Sequence, residues 1–127
     1  MSFSSDMVKF SKALDVTLDK AMRAVKIKLF NSIIQDTRVD TGRLRGNWQT
    51  STGSPILNEI DRKDKIEKGT PGGDAQEEVI DTVQGLTTDY MTNNLPYAGV
   101  YEEKDGMVSK NMARINRNIK EAIKEGV

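Results

Sequence analysis

No glycine or proline interrupts the chain between Ser4 and Gln35. Across that stretch Phe10, Leu14, Leu18, Ala21, Val25, Leu29 and Ile33 recur at spacings of three or four, one stripe along a helix. Val8, Met22, Phe30 and Ile34 widen the stripe, Ser4, Ser5 and Asp6 are candidate N-caps, and Asp19–Arg23 has the favourable acid-before-base order. An unbroken helix of this length is a rod of about 45 Å, whereas a compact globule of this chain length is about 36 Å across. The pattern predicts a long N-terminal helix that overhangs its own body, with an apolar side covered by a second subunit. Phe10, Leu14 and Leu18 are the candidate interface residues on it. The alternatives are a bend or break near Asp36, or a frayed first turn.

The length, 127 residues, is that of one domain, expected to span positions 1–127. Apolar residues are 36% and charged residues 30%, which predicts a modest core under a wet surface. No apolar run approaches the ~20 residues of a membrane span, and Met1–Asp6 lacks the basic-then-apolar pattern of a leader. With no cysteine and no histidine, disulfides, thiolate metal sites, the commonest general base and the commonest nitrogen ligand for zinc are all excluded. Net charge is zero but unevenly spread: residues 1–50 hold nine basic and five acidic side chains, residues 58–90 four basic and nine acidic. Such a chain can stack on copies of itself or on neighbours, although a mixed surface is the simpler account.

The helix should stop around Asp36-Thr37-Arg38. In Val39–Trp48, Asp40 or Thr41 can cap a short helical turn through Leu44 and Arg45, Gly42 and Gly46 permit close backbone approach or positive φ, and Trp48 anchors a helix-to-sheet junction. Asn47–Thr52 reads as a strand, Ile56–Ile60 as a second, and residues 61–73, charged and then rich in breakers, as an exposed mobile loop. Asp74 is expected to cap a short middle helix to Gln84 with Val79, Ile80 and Val83 inward, followed by a third strand, Leu86–Thr92. In Asn93–Glu102, Pro96 suits an edge strand or a turn. Read as a fourth strand, that stretch puts Tyr97, Gly99 and Tyr101 on one face, with Glu102 on the other. Asn94 is expected to hold the approach to Pro96 through side-chain-to-backbone bonds. Glu103–Gly106 reads as a tight turn. Ser109 then caps a C-terminal helix whose stripe is Met112, Ile115, Ile119 and Ala122 or Ile123, and whose polar face carries Arg114, Arg117, Lys120 and Lys124.

Little here can do chemistry. Glu102 and Glu103 are adjacent, so in a strand they face opposite ways and cannot share a proton. No serine, threonine or lysine has an evident base nearby, so no catalytic residue, cofactor or metal is expected and an enzyme is not predicted. Arg38, Arg43 and Arg45 form the densest cationic spot. They suit phosphate, which with the basic N-terminal helix gives a small nucleic-acid-binding protein as the alternative function, or they pair with acids of a neighbouring subunit. Interleaved acids and a pI of about 6.3 weigh against the nucleic-acid reading.

Two stretches together resemble a known family. Val39-Asp40-Thr41-Gly42-Arg43-Leu44-Arg45-Gly46-Asn47-Trp48 follows a long helical pattern. Later come Tyr90-Met91-Thr92-Asn93-Asn94-Leu95-Pro96-Tyr97-Ala98, then Tyr101-Glu102, then Gly106-Met107-Val108 before a final helix. This order is similar to that of the tail-completion or neck proteins of long-tailed bacteriophages, also labelled minor tail or head-tail joining proteins. The matching segments cover about a quarter of the chain. Relatives usually carry a glycine and a longer polar loop between the tyrosine-glutamate pair and Gly-Met-Val, where this chain has only Glu103-Lys104-Asp105. The resemblance implies a non-enzymatic virion protein, made in the host bacterial cytoplasm and placed at the head–tail interface. It implies a self-assembled ring, commonly a hexamer, between connector and tail tube or tail terminator proteins. DNA would pass through the lumen without sequence-specific binding, and no membrane is involved.

The fold expected is α+β: a long N-terminal helix, a small antiparallel sheet of about four strands, and a short middle helix and C-terminal helix packed on one face. Asp40, Thr41, Gly42, Leu44, Trp48, Asn94 and Pro96 are the expected structural motif. Arg43, Arg45, Tyr97, Tyr101 and Glu102 join Phe10, Leu14 and Leu18 as candidate interface residues, with sheet packing the alternative role for the two tyrosines.

Overall fold

The expected N-terminal rod is two helices. The computed structural model describes residues 3–125; positions 1–2 and 126–127, part of the expected 1–127 unit and including the first two residues of Met1–Asp6, lie outside the described residues. Helix α1 covers Phe3–Ala13 and α2 covers Leu18–Gln35. Between them Asp15 adopts φ 54°. The Val16 N–H donates to Ser11 O at 3.0 Å and the Asp15 N–H to Lys12 O at 3.1 Å. These are the paired bonds of a left-handed helix stop, which an aspartate tolerates better than most residues. Thr17 then starts α2 by accepting the Lys20 N–H at 3.2 Å.

The break falls well before Asp36, where α2 ends as expected. The stripe hid it because Leu14 and Leu18 stand four apart on either side. Helix α1 packs on α2 and on α6 (Met107–Glu125), and Met7, Ala21, Val25 and Ile119 bury each other there. Most of the stripe is therefore covered within one subunit, and, contrary to expectation, its cover does not require a second one.

A main core joins Ile33, Ile34, Leu44, Trp48, Val79, Val83, Leu95 and Met107. Helix α3 (Arg43–Gly46) leads directly into β1 (Trp48–Thr52), which pairs antiparallel with β2 (Asp89–Asn93) in the register Trp48↔Asn93 to Thr52↔Asp89. Among the described residues the sheet has these two strands, not four. Ile56–Ile60 forms no ladder because side-chain amides take its backbone groups. Asn94 donates to Ile56 O at 2.9 Å, Gln49 donates to Asn58 O at 2.7 Å, and Asn47 Oδ1 accepts the Ile60 N–H at 2.9 Å. On β1, the Thr50 N–H donates to the Glu78 carboxylate at 2.7 Å, so a helix side chain takes a group a further strand would have used.

The expected fourth strand is instead helix α5 (Ala98–Asp105), entered through Leu95 and Pro96. The period-two pattern of Tyr97 and Tyr101 is equally an i,i+4 helical pair. Gly106 ends α5 at φ 61°, and Glu102 caps α6 by accepting the Val108 and Ser109 N–H groups, the role assigned to Ser109. In α6, Ile119 faces inward as expected, but Met112 is exposed. Asn111 takes the inward place, donating to Met107 O and Asp36.

Helix α4 (Asp74–Thr82) buries Val79, while Val83 is buried just after it; Ile80, expected inward, is 51% exposed. Its cap is Asp64, not Asp74: the two carboxylate oxygens accept the Asp74 and Ala75 N–H groups at 3.0 and 2.9 Å. Residues 61–73 form no helix or strand.

Lys26 ties α2 to the segment leading into β2. Its ammonium donates to Gln84 O, Gly85 O, Thr87 O and Asp89 Oδ2 at 3.1, 2.9, 2.5 and 2.8 Å. The Asp89 side chain is fully buried. Burial alone pushes its carboxyl up, but hydrogen bonds from Lys26, Thr52 and Thr87 outweigh it and hold the pKa below the usual carboxylate range. A depressed carboxyl contributes stability above its unfolded pKa, about 4, and that contribution is lost as pH falls through the lower folded value. The urea-derived unfolding free energy should thus decline between about pH 5 and pH 2, and decline less steeply in Asp89→Asn. Equal slopes would contradict this role.

Candidate functional site

Residues 40–44 of the first resembling stretch and Tyr97 and Tyr101 of the second meet in one cleft. Arg38 follows α2, residues 39–42 form a bend, α3 turns back, and α5 brings Tyr97 and Tyr101 alongside. Arg38, Asp40, Thr41, Gly42, Arg43, Leu44, Tyr97 and Tyr101 line a cleft of about 210 Å³. Asn93 ties the two segments together by donating to Leu44 O at 2.8 Å, and the Trp48 indole closes the first by donating to Thr37 Oγ1 at 2.8 Å. Trp48 thus sits at the helix-to-sheet junction, as predicted from its position.

Inside the cleft, Tyr97 meets Tyr101 edge-on, with centroids 5.8 Å apart and planes at 88°. The Arg38 guanidinium lies 4.5 Å from the Tyr101 centroid and forks onto Asp105, with bonds of 2.7 and 2.5 Å. Lys104 stands over the same ring at 5.9 Å. The hydrogen bonds from Arg38 hold the Asp105 carboxyl below its ordinary range, and Asp105 in turn raises Arg38. Arg43 reaches Glu59 at 3.3 Å. Thr41 assists α3 by accepting the Arg43 N–H at 3.2 Å, but the N-cap position itself belongs to Gly42. The cleft thus presents aromatic edges beside cations, with Arg38 paired to Asp105 and Arg43 to Glu59.

The other predicted residues lie elsewhere. Arg45 is fully buried and donates to Thr70 O and Gly72 O at 2.7 and 3.0 Å, so it faces neither phosphate nor partner. With Arg38 on Asp105 and Arg43 on Glu59, all three arginines of the nucleic-acid reading are engaged within the chain. Glu102 caps α6. The local bond before Pro96 comes from Asn93, whose Oδ1 accepts the Leu95 N–H at 3.4 Å, while Asn94 braces residues 56–58. Pro96 is an exposed turn residue, and Phe10 packs half-buried on the second core. Leu14 and Leu18 lie at the α1–α2 turn, 47% and 36% exposed. Asp105 and Lys104 escaped sequence reasoning because a tight turn, not a helix beside Arg38, was predicted for them.

No protein-family model, curated protein or solved structure matches this chain at a significant level. No helix among the described residues is long and apolar enough to cross a membrane.

Proposed function

We propose that this chain is a bacteriophage virion structural protein of the head–tail junction, a non-enzymatic tail-completion or neck component. It works by self-association into a ring, with six copies as the expected number, and by joining connector to tail tube. The observation that carries this reading is the convergence of the two resembling stretches, far apart in sequence, on one preorganised cleft. Tyr97 and Arg43 there offer an aromatic edge and a cation to an unlike partner above or below the ring. Exposed Leu14, Val16 and Leu18 at the α1–α2 turn add apolar surface of the kind that marks association sites. DNA passes through the lumen without being read.

Negative-stain imaging of the wild type mixed with purified tail tubes should show rings seated on tube ends. Tyr97→Ala combined with Arg43→Ala, both at partly exposed positions, should change stability by no more than about 1 kcal/mol and still form rings. Those rings should join tubes at least tenfold less often. A wild type that stays monomeric and never decorates tails would sink the proposal.

A further inference from the structure

Two exposed helix faces, one on α6 and one on α4, carry opposite charge. Between α1, α2 and α6 runs an apolar groove of about 480 Å³ lined by Phe3, Met22, Val25, Leu29 and Met112. Phe3 and Met112 are 51% and 53% exposed. Ala113 and Asn116 continue this groove into a shallow depression where Arg117, Lys120 and Lys124 outnumber the one carboxylate, Glu121. Along α6 five cations stand against two carboxylates. Helix α4 is the converse, with four carboxylates and no cation. On its outer face Glu77, Ile80 and Asp81 fall together at helical spacing, all three exposed, Ile80 with half its surface in water. Among the described residues, no ion pair engages Glu77, Asp81, Arg117 or Lys120.

We infer that the groove on α1, α2 and α6 receives helix α4 of a second copy of this chain, with Ile80 entering the apolar part and Glu77 and Asp81 meeting Arg117 and Lys120. This rests on the ring reading and assigns its subunit contact. The two faces are different patches of one molecule, so the contact is head-to-tail, the geometry that closes rings. Apolar contact supplies affinity and the charges set register and partner choice. Raising salt from about 0.05 to 0.5 M, which shortens the screening length several-fold, should therefore weaken association.

The test is a charge swap read by sedimentation velocity, with circular dichroism verifying the fold. Glu77→Lys/Asp81→Lys and Arg117→Glu/Lys120→Glu should each sediment as monomers at concentrations where the wild type assembles. An equimolar mixture should recover the assembled species, since every acid face then meets a basic one. If the lysine pair fails to fold, Glu77→Gln/Asp81→Asn, and separately Ile80→Ser, should each weaken assembly at least tenfold. Two swapped variants that assemble like the wild type, or a mixture that stays monomeric, would overturn the α4-to-α6 contact while leaving a ring built otherwise. Duplex DNA binding that vanishes in Arg117→Glu/Lys120→Glu, with assembly unaltered, would overturn it by assigning the basic face to phosphate. A monomeric wild type, alone and with tail tubes, would remove the ring reading itself.

Discussion

Arg45→Ala should unfold about 12 °C below the wild type, a loss of roughly 3 kcal/mol. Arg45 has no exposed surface, and its guanidinium is the hub of residues 67–76: Glu67 O, Thr70 O and Gly72 O accept from it, and Gln76 Oε1 lies at the edge of bonding at 3.5 Å. Burial lowers its pKa, and the nearby Asp64 charge only partly offsets this. Removing the side chain leaves a cavity and carbonyls without a donor, the two costs that make truncation of a buried polar hub severe. Arg45→Met separates them, because it restores volume without donors. It should recover less than half of the loss in thermal melts. Full recovery would mean that the hydrogen bonds contribute little.

Gly42→Ala should cost about as much, roughly 3 kcal/mol, for a different reason. Gly42 has φ +86°, and a Cβ there would stand 2.6 Å from both the Asp64 carbonyl carbon and the Lys65 nitrogen. Those are backbone atoms, so no side-chain rotation relieves the overlap. The Gly42 carbonyl also accepts the Asp64 N–H at 2.9 Å, and Asp64 caps α4. One glycine therefore holds the elbow, the following loop and the start of α4 in register. Urea titration should show a lower midpoint, and tail joining should fall with it because Gly42 also lines the cleft. An unchanged midpoint would show that the loop moves aside freely.

What was legible in the sequence follows from which forces are local. The stop of α2 at Asp36, strand β1, the inward Val79 and Val83, and the packed Trp48 all came from periodicity and punctuation within a few residues. The break at Asp15 did not, because aspartate took a left-handed position usually signalled by glycine. Strand and helix could not be separated over residues 97–102, where tyrosines four apart satisfy both periods. Residues 56–60 have strand composition but lose their ladder partners to Asn47, Gln49 and Asn94, a tertiary competition invisible in one segment. Of the cleft, residues 38–44 and the two tyrosines were visible as separate stretches, while Asp105 and the burial of Arg45 depend on how those stretches meet. A long charged side chain reads as surface until the loop that encloses it is known.

Native mass spectrometry of the unmodified protein, over a range of concentrations and with and without tail tubes, tests the central claim most directly. Head-to-tail closure predicts one discrete oligomer, six copies being the expected number, that persists on tube ends. A monomer under every condition, or an open ladder of sizes with no closed species, would contradict it.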